Sequence, residues 1–405
     1  LCQLVTAEDE IAFKDLFQRI GLSVDWRQEY STIDRRSRSV AQRSFLDLLT
    51  KGHVYQTNAP TMWDPEFQTA VAQAEVQDRD HAGAYHDIEF AIEGGGSFVI
   101  STTRPELLAA CVGVAAHPDD ERYKALFGCK AITPLYHVPV PIFPSSAADP
   151  DVGSGILMVC TFGDQRDVDW WRKENLVLRQ VLDSRGRFLE RTYGQFDWQS
   201  LKPDLANNLY QDIIGRTVEQ GRRIVVEQLR DSANSATGMT PALQGEPKPI
   251  THAVRFYERS KRPLEFLSSR QWFVRLLDKK DRLIEFGNQI IWHPDYMRKR
   301  YENWVQNLQL DWAISRQRFF GVPFPLWYPL DEAGNTVFKQ PISATVDSLP
   351  IDPMSDVPAG YLENQRDRPG GFTGEPDVLD TWFTSSLTPQ IAASWGEEQD
   401  KSSLL

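Results

Sequence analysis

Cysteine is scarce. Only Cys2, Cys111, Cys129 and Cys160 occur in 405 residues, and no two of them form a C-x-x-C pair. That spacing disfavours a disulfide framework and a thiolate zinc site, and it suits a reducing cytoplasm. Long apolar runs are missing as well. None approaches the ~18–20 residues that a membrane helix needs. No charged n-region followed by an apolar h-region is visible near Leu1, so no secretory signal is read. The common catalytic signatures G-x-x-x-x-G-K-[ST], H-E-x-x-H, G-x-S-x-G and G-x-G-x-x-G are all absent.

What remains is an ordinary globular composition, 41% hydrophobic and 25% charged, with room for two or three domains. The net charge of −12 argues against a surface that binds nucleic acid all over. A bulk figure says nothing of local patches, however. Residues 251–318 hold 14 Lys and Arg against 8 Asp and Glu, a local charge of opposite sign.

Residues 1–85 read as mixed helix and loop, mostly helical. Phe13, Leu16, Phe17 and Ile20 recur at helical spacing before Gly21, and a second helix spans about Ile33 to Leu49 before Gly52. A segment punctuated by Pro60 and Pro65 follows. From His86 the pattern alternates through Ile88, Phe90 and Ile92, turns at Gly94–Gly96 and resumes at Phe98–Ile100, the signature of a β-hairpin. Further strands are expected at 112–115, 131–135, 138–142 and 156–159, with helices near 164–174 and 210–230. Residues 86–250 thus read as one strand-rich domain. Asp231–Pro249 reads as an exposed connection. Residues 251–405 form a third part.

Four segments carry chemistry. Ser101-Thr102-Thr103-Arg104-Pro105-Glu106 follows a strand and opens a helix. The threonines suit capping and Pro105 the first turn, but the same strand end presents hydroxyls and a guanidinium to a polar ligand. Gly153-Ser154-Gly155 leads through an apolar strand to Cys160-Thr161-Phe162-Gly163-Asp164-Gln165-Arg166-Asp167. Asp164 and Asp167, three apart at a helix start, suit either the helix dipole or a ligand bearing an ammonium and a hydroxyl. Asp311-Trp312-Ala313-Ile314-Ser315-Arg316-Gln317-Arg318 and Asp377-Val378-Leu379-Asp380-Thr381-Trp382-Phe383 mix aromatic, acidic and hydroxyl residues in a way that core packing explains poorly.

In this order, and with Gln271-Trp272-Phe273 between them, the segments resemble valyl-tRNA synthetases, members of the class I aminoacyl-tRNA synthetases. Cys111–Val114, His117–Tyr123 and Val159–Asp164 resemble the valyl rather than the isoleucyl branch, in its archaeal form. The resemblance implies an α/β fold: a strand-rich mixed editing domain, residues 86–250, inserted into parts of a Rossmann-like catalytic core. It further implies that the chain is an internal piece of a longer enzyme. The threonine–valine problem supplies the physical rationale. A hydrophobic pocket discriminates weakly against an isostere that merely adds a hydroxyl, so a second, polar site hydrolyses the misacylated product.

By this resemblance Asp167 holds the α-ammonium of a threonyl ester and Asp164 its hydroxyl. Thr102, Thr103 and Arg104 hold the terminal adenosine of tRNA(Val) and orient the ester for attack by water. Cys160 is not expected to act as a nucleophile. Arg316 and Arg318 are expected to meet tRNA phosphates, with a salt-bridged surface as the alternative. Phe320, Val378 and Trp382 match positions lining the valine pocket of the synthetic site, with core packing as the alternative.

Three departures matter. No H-I-G-H-like or K-M-S-K-S-like segment is present, so the chain is not expected to form valyl-adenylate, although the full-length family members use ATP and Mg. The positions of a C-P-x-C zinc half-site hold Asp64 and Phe67, and the partner segment Trp327–Asp331 also lacks cysteine, so no bound metal is expected. A lysine of some relatives is replaced by Met158. The alternatives left open are an isoleucyl-type fragment, a non-catalytic tRNA-binding module and an unrelated acid-paired hydrolase. Exposed core edges favour self-association through residues 251–405.

Overall fold

The computed structural model describes residues 2–27, 29–393 and 395. In chain order the elements are α1 (Cys2–Arg19), α2 (Arg35–Thr50), β1 (Val54–Asp64), β2 (Thr69–Ala70), β3 (Val76–Ile92), β4 (Ser97–Thr102), β5 (Cys111–Ala116), β6 (Lys130–Ile132), β7 (Pro139–Pro144) and β8 (Ile156–Cys160). Then come α3 (Gln165–Lys173), α4 (Pro203–Gln211), α5 (Val218–Leu229), β9 (Lys248–Tyr257), β10 (Glu265–Val274), α6 (Lys280–Gln289), α7 (Met297–Gln306), β11 (Trp312–Ala313) and β12 (Ser315–Arg316). The last are β13 (Leu326–Pro329), β14 (Ile342–Ser343), β15 (Phe372–Gly374), β16 (Val378–Leu379), α8 (Thr381–Ser385) and α9 (Thr388–Ala392). No described helix is long and apolar enough to cross a membrane.

The chain divides into two compact units. The larger covers 47–320 and 376–380, and the smaller covers 1–46, 321–375 and 381–405.

In the larger unit a seven-stranded mixed sheet runs β4-β3-β6-β7-β5-β8, with β9 added along the outer half of β3. The hairpin read from alternation is there: Ile88 pairs with Ile100 and Phe90 with Phe98, and the two rings stack at 5.9 Å. Such facing apolar pairs contribute ~0.2–1 kcal/mol each relative to a pair of alanines. Gly94, Gly95 and Gly96 all take positive φ in the turn between them, a conformation that costs glycine little. Behind the sheet the rings of Tyr136, Tyr193 and Tyr210 close the core, with Tyr136 stacked on Tyr193 at 5.2 Å. The helix expected over 210–230 is two helices. Gly215 turns the chain at φ 72°, and Thr217 then caps α5 in a reciprocal capping box with Gln220.

A second sheet, β11-β10-β1-β2, is antiparallel throughout. Its strand β1 corrects the reading of residues 1–85 as mostly helical, because 54–85 is mostly strand, with a turn at 65–68 and a 3-10 turn at Gln73–Glu75. Pro60, in the segment read as punctuated by prolines, lies inside β1. It sits opposite Ser268, whose N–H turns away from β1 to Gln180 Oε1 at 3.0 Å. The pair is therefore of the non-hydrogen-bonded kind, and the donor that proline lacks is one the ladder does not need.

The smaller unit is held by α2 and the β14-β13-β15 sheet. Gln42 is fully buried and makes three bonds. Its Nε2 donates to Pro323 O (3.0 Å) and Ile351 O (2.6 Å), and its Oε1 accepts from Ile351 N–H (2.9 Å). Phe45 meets Phe324 edge-on at 5.0 Å. The helix read from Phe13, Leu16, Phe17 and Ile20 forms as α1, but these four side chains face solvent.

Candidate functional site

The segments Ser101–Glu106 and Gly153–Asp167 meet at one wall of a cleft of about 1120 Å³ in the larger unit. Two local devices join them. Strand β8 pairs antiparallel with β5 from Ile156 to Cys160. The Gly153-Ser154-Gly155 turn docks on the end of β4, where Ser154 Oγ accepts the Ser101 N–H (3.1 Å) and donates to Ile156 O (2.9 Å). Gly153 has φ 61°, and a Cβ there would stand 3.2 Å from the Ser101 side chain. Thr102, Thr103, Arg104, Asp164 and Asp167 all line this cleft.

Asp164 caps α3: its Oδ1 accepts the Asp167 N–H at 3.1 Å, while Oδ2 pairs with Arg166 at 3.1 Å. It is half-exposed. Asp167 is buried. Its Oδ1 accepts from Cys160 N–H (3.2 Å) and its Oδ2 from Gly163 N–H (2.7 Å). Burial, and next the charge of Asp164, push its carboxyl up to about 8 against the pull of those two N–H groups. The capping alternative and the ligand alternative thus divide between the two residues. Asp164 caps the helix and keeps an oxygen toward solvent, while Asp167 is a desolvated carboxylate at the cleft wall.

The expected helix at Pro105 is a 3-10 turn over Pro105–Ala110, and it is not capped by a threonine side chain. Thr102 Oγ1 accepts instead from Arg104 N–H at 3.1 Å. Arg104 is bound on three sides. Nε donates to Glu106 Oε1 (3.1 Å), Nη2 to Glu265 Oε2 (2.7 Å) and Nη1 to Gly163 O (3.4 Å). Arg222 holds Glu106 from the other side with bonds of 2.8 and 2.9 Å. Burial opposes the charge on Glu106, but Arg222 and Arg104 outweigh it and leave the carboxyl below its ordinary range. For Glu265 burial outweighs the help of Arg104, and its carboxyl is raised.

Cys160 is buried at the end of β8, with Sγ 3.4 Å from Leu107 O. Burial, then the neighbouring Asp167, push its thiol well above the ordinary range, the opposite of an activated nucleophile.

The other predicted residues lie elsewhere. Arg316 corrects the expectation of a phosphate contact. Its side chain is 0% exposed, and Nη2 lies 2.8 Å from Glu75 and 2.9 Å from Asp380. A guanidinium sealed between two carboxylates has no face for a phosphate. Arg318 is partly exposed and donates to the Tyr257 hydroxyl at 3.3 Å. Of the residues matched to a valine pocket, Val378 is buried in β16, paired with Arg316 of β12. Phe320 is exposed in the larger unit, and Trp382 is exposed in α8 of the smaller. Asp64, at a zinc-ligand position of relatives, accepts the N–H groups of Glu66 (2.7 Å) and Phe67 (3.2 Å). Among the described residues no three His, Cys, Asp or Glu converge as a metal site would require.

Sequence reading missed Glu265 and Arg222. Neither sits in a motif, and each reaches the site from more than 100 residues away in the chain. Glu106 stood in the quoted segment but drew no role. An acid beside an arginine at a strand end was the one available signal.

Residues 2–404 match the family described as tRNA synthetases class I (I, L, M and V). A valine–tRNA ligase of Thermobifida fusca is 48% identical over 404 residues, covering 99% of this chain and 44% of that protein. One from Leifsonia xyli is 50% identical over 404 residues, covering 99% of this chain and 45% of that protein. A solved ternary complex of a leucyl enzyme from Agrobacterium radiobacter, described as LeuRS-tRNA-LeuAMS, is similar at TM-score 0.33 and 17% identity, covering 96% of this chain and 48% of that one. The chain therefore spans under half the length of the curated relatives it matches, and it belongs to the class I tRNA synthetases of the isoleucine, leucine, methionine and valine group.

Proposed function

We propose that this chain is part of a valine–tRNA ligase and carries its hydrolytic editing site, which removes threonine from misacylated tRNA(Val). One observation carries the reading. A buried carboxylate, Asp167, and a half-exposed one, Asp164, share a cleft wall with the hydroxyl-bearing strand end Thr102–Thr103. The valine assignment rests on relatives 48–50% identical that bear that name.

In this reading Asp167, once ionised, takes the α-ammonium. The half-exposed Asp164 accepts the threonine hydroxyl, which valine lacks, so the cognate ester forfeits that bond. Thr102 and Thr103 hold the terminal ribose and adenine. Water adds to the ester carbonyl, the tetrahedral intermediate collapses, and the ribose oxygen leaves with a proton as tRNA and free threonine separate. No side-chain nucleophile is needed, in keeping with the buried thiol of Cys160. The tRNA acceptor end and threonine are thus the proposed ligands.

Single-turnover deacylation tests this. Thr-tRNA(Val) is hydrolysed well above the spontaneous rate, and Asp167→Ala loses ~10²-fold or more. Unchanged hydrolysis in that variant removes Asp167 from the role, and preference for Val-tRNA(Ile) moves the chain to the isoleucyl branch. The phosphate-handling segments that the family uses for ATP are not in these 405 residues. The reading therefore excludes adenylate formation by this chain, and robust valine-dependent ATP–pyrophosphate exchange would contradict it.

A further inference from the structure

We propose that Glu265 is a positioning residue of the hydrolytic site. It fixes Arg104, and Arg104 fixes the Gly163 backbone against which the Asp167 carboxylate is seated. The inference rests on the editing reading above.

The chain of contacts is continuous. Glu265 Oε2 accepts from Arg104 Nη2 at 2.7 Å, Arg104 Nη1 reaches Gly163 O at 3.4 Å, and Gly163 N–H donates to Asp167 Oδ2 at 2.7 Å. The seat at Gly163 is tight. A Cβ there would stand 2.8 Å from Asp167 Oδ2 and 3.3 Å from Leu107 Cδ1, so a small shift of this residue moves the carboxylate.

Charge arithmetic singles out Glu265 rather than Glu106 as the anchor. Arg222 already engages both oxygens of Glu106, at 2.8 and 2.9 Å. Glu106 can therefore orient only the near edge of Arg104, through Nε at 3.1 Å. Among the described residues, the charged partner of the far edge is Glu265 alone. Both glutamates are buried, where a charge persists only when paired and hydrogen-bonded. Arg104, with Nε and Nη2 held by carboxylates and Nη1 turned to a carbonyl, acts more on the protein than on the substrate.

The position of Glu265 gives the inference its consequence. It lies on β10, opposite Trp63 of β1, in the second sheet and outside the span 86–250. Within the larger unit, the hydrolytic site is completed by a strand of the second sheet rather than of the seven-stranded sheet whose β8 leads into its aspartates.

The test is single-turnover hydrolysis of Thr-tRNA(Val) by the 405-residue chain. Glu265→Gln lowers the maximal rate at least tenfold and leaves the half-saturating tRNA concentration within twofold, since the binding hydroxyls are untouched. Arg104→Gln does the same, and the double variant is no slower than Arg104→Gln alone, as expected for two links in one path. A Glu265→Gln rate within twofold of the parent overturns the proposal, as do losses that multiply in the double variant. If Glu265→Gln loses cooperative unfolding, Glu265→Asp replaces it. That variant keeps the charge but is one methylene too short, and a parental rate in it overturns the proposal equally. A parent chain that does not hydrolyse the ester, or an Asp167→Ala variant as fast as the parent, brings down the editing reading and this inference together. Parental activity in Glu265→Gln beside an inactive Asp167→Ala brings down this inference alone.

Discussion

Arg316 and Asp380 lie 2.9 Å apart with both side chains sealed from solvent. They come from two aromatic-acidic segments 64 residues apart, joined where β12 pairs with β16. Glu75 accepts from the same Nη2 at 2.8 Å, and Ala313 O and Ser315 O accept from Nη1, both at 2.9 Å. Removing one partner of such a group leaves buried charge uncompensated, at a cost of about 3–5 kcal/mol. Arg316→Ala is expected to lower stability by that amount in urea unfolding, and at low temperature, where it is still folded, to bind tRNA as the parent does.

Asp167 makes stability depend on pH in a direction opposite to an ordinary surface carboxylate. Unfolded, it titrates near ~3.9. Folded, burial and Asp164 raise it to about 8. A raised group gives stability that is complete below the unfolded value and lost as pH rises through the folded one. Asp167→Asn is therefore expected to gain stability relative to the parent progressively between about pH 4 and pH 8. In Asp164→Asn the same window moves to lower pH, because one of the two causes of the shift is gone. Unfolding free energies measured across that range check both.

Gly221 offers a reversal of sign. Glycine to alanine inside a helix ordinarily stabilises by ~0.5–1 kcal/mol. Here a Cβ on α5 would sit 2.3 Å from Phe188 Cε2 and 3.0 Å from its Cδ2, and Phe188 is a buried core residue. Overpacking of this kind costs ~1–3 kcal/mol. Gly221→Ala is expected to lower the melting temperature, and an unchanged or raised value would show that the ring moves freely.

The thiols are expected to separate by burial. Cys111 and Cys160 are buried and Cys129 is not. Burial also pushes the Cys111 thiol up to about 12. Under native conditions an alkylating reagent should label Cys129 well before Cys111 or Cys160, read by peptide mass. Cys160→Ala should retain hydrolysis of Thr-tRNA(Val) within about threefold, as a reaction using water requires.

Local pattern was enough to find the β3–β4 hairpin, because Ile88, Phe90, Phe98 and Ile100 alternate and three glycines mark the turn. It was also enough to bring attention to the segments now seen around Asp164 and Thr102. It failed where a residue's meaning depends on a distant partner. The segment around Pro60 read only as punctuated by prolines, and its pairing with Ser268 shows that the donor Pro60 lacks is not needed. Arg316 read as a phosphate contact because it lies in a basic stretch. Its two carboxylate partners are 241 and 64 residues away. Glu265 read as nothing at all, since only the folded chain sets it against Arg104, 161 residues earlier.

The ribbon formed by β3 and β9 is zipped over ten consecutive pairs, from Val76 with Tyr257 to Tyr85 with Lys248. Residues 86–247 therefore leave and return through neighbouring positions, about 5 Å apart, like a cassette on a hinge pin. Such a module invites transplantation: cut at the ribbon, it would travel with both aspartates, both threonines and Arg104. It would leave Glu265 behind. A transplanted module that keeps the native geometry must also take the β1–β10 pair, so the boundary at which this piece can be exchanged lies at residues 54 and 274, not at the ribbon that looks made for cutting.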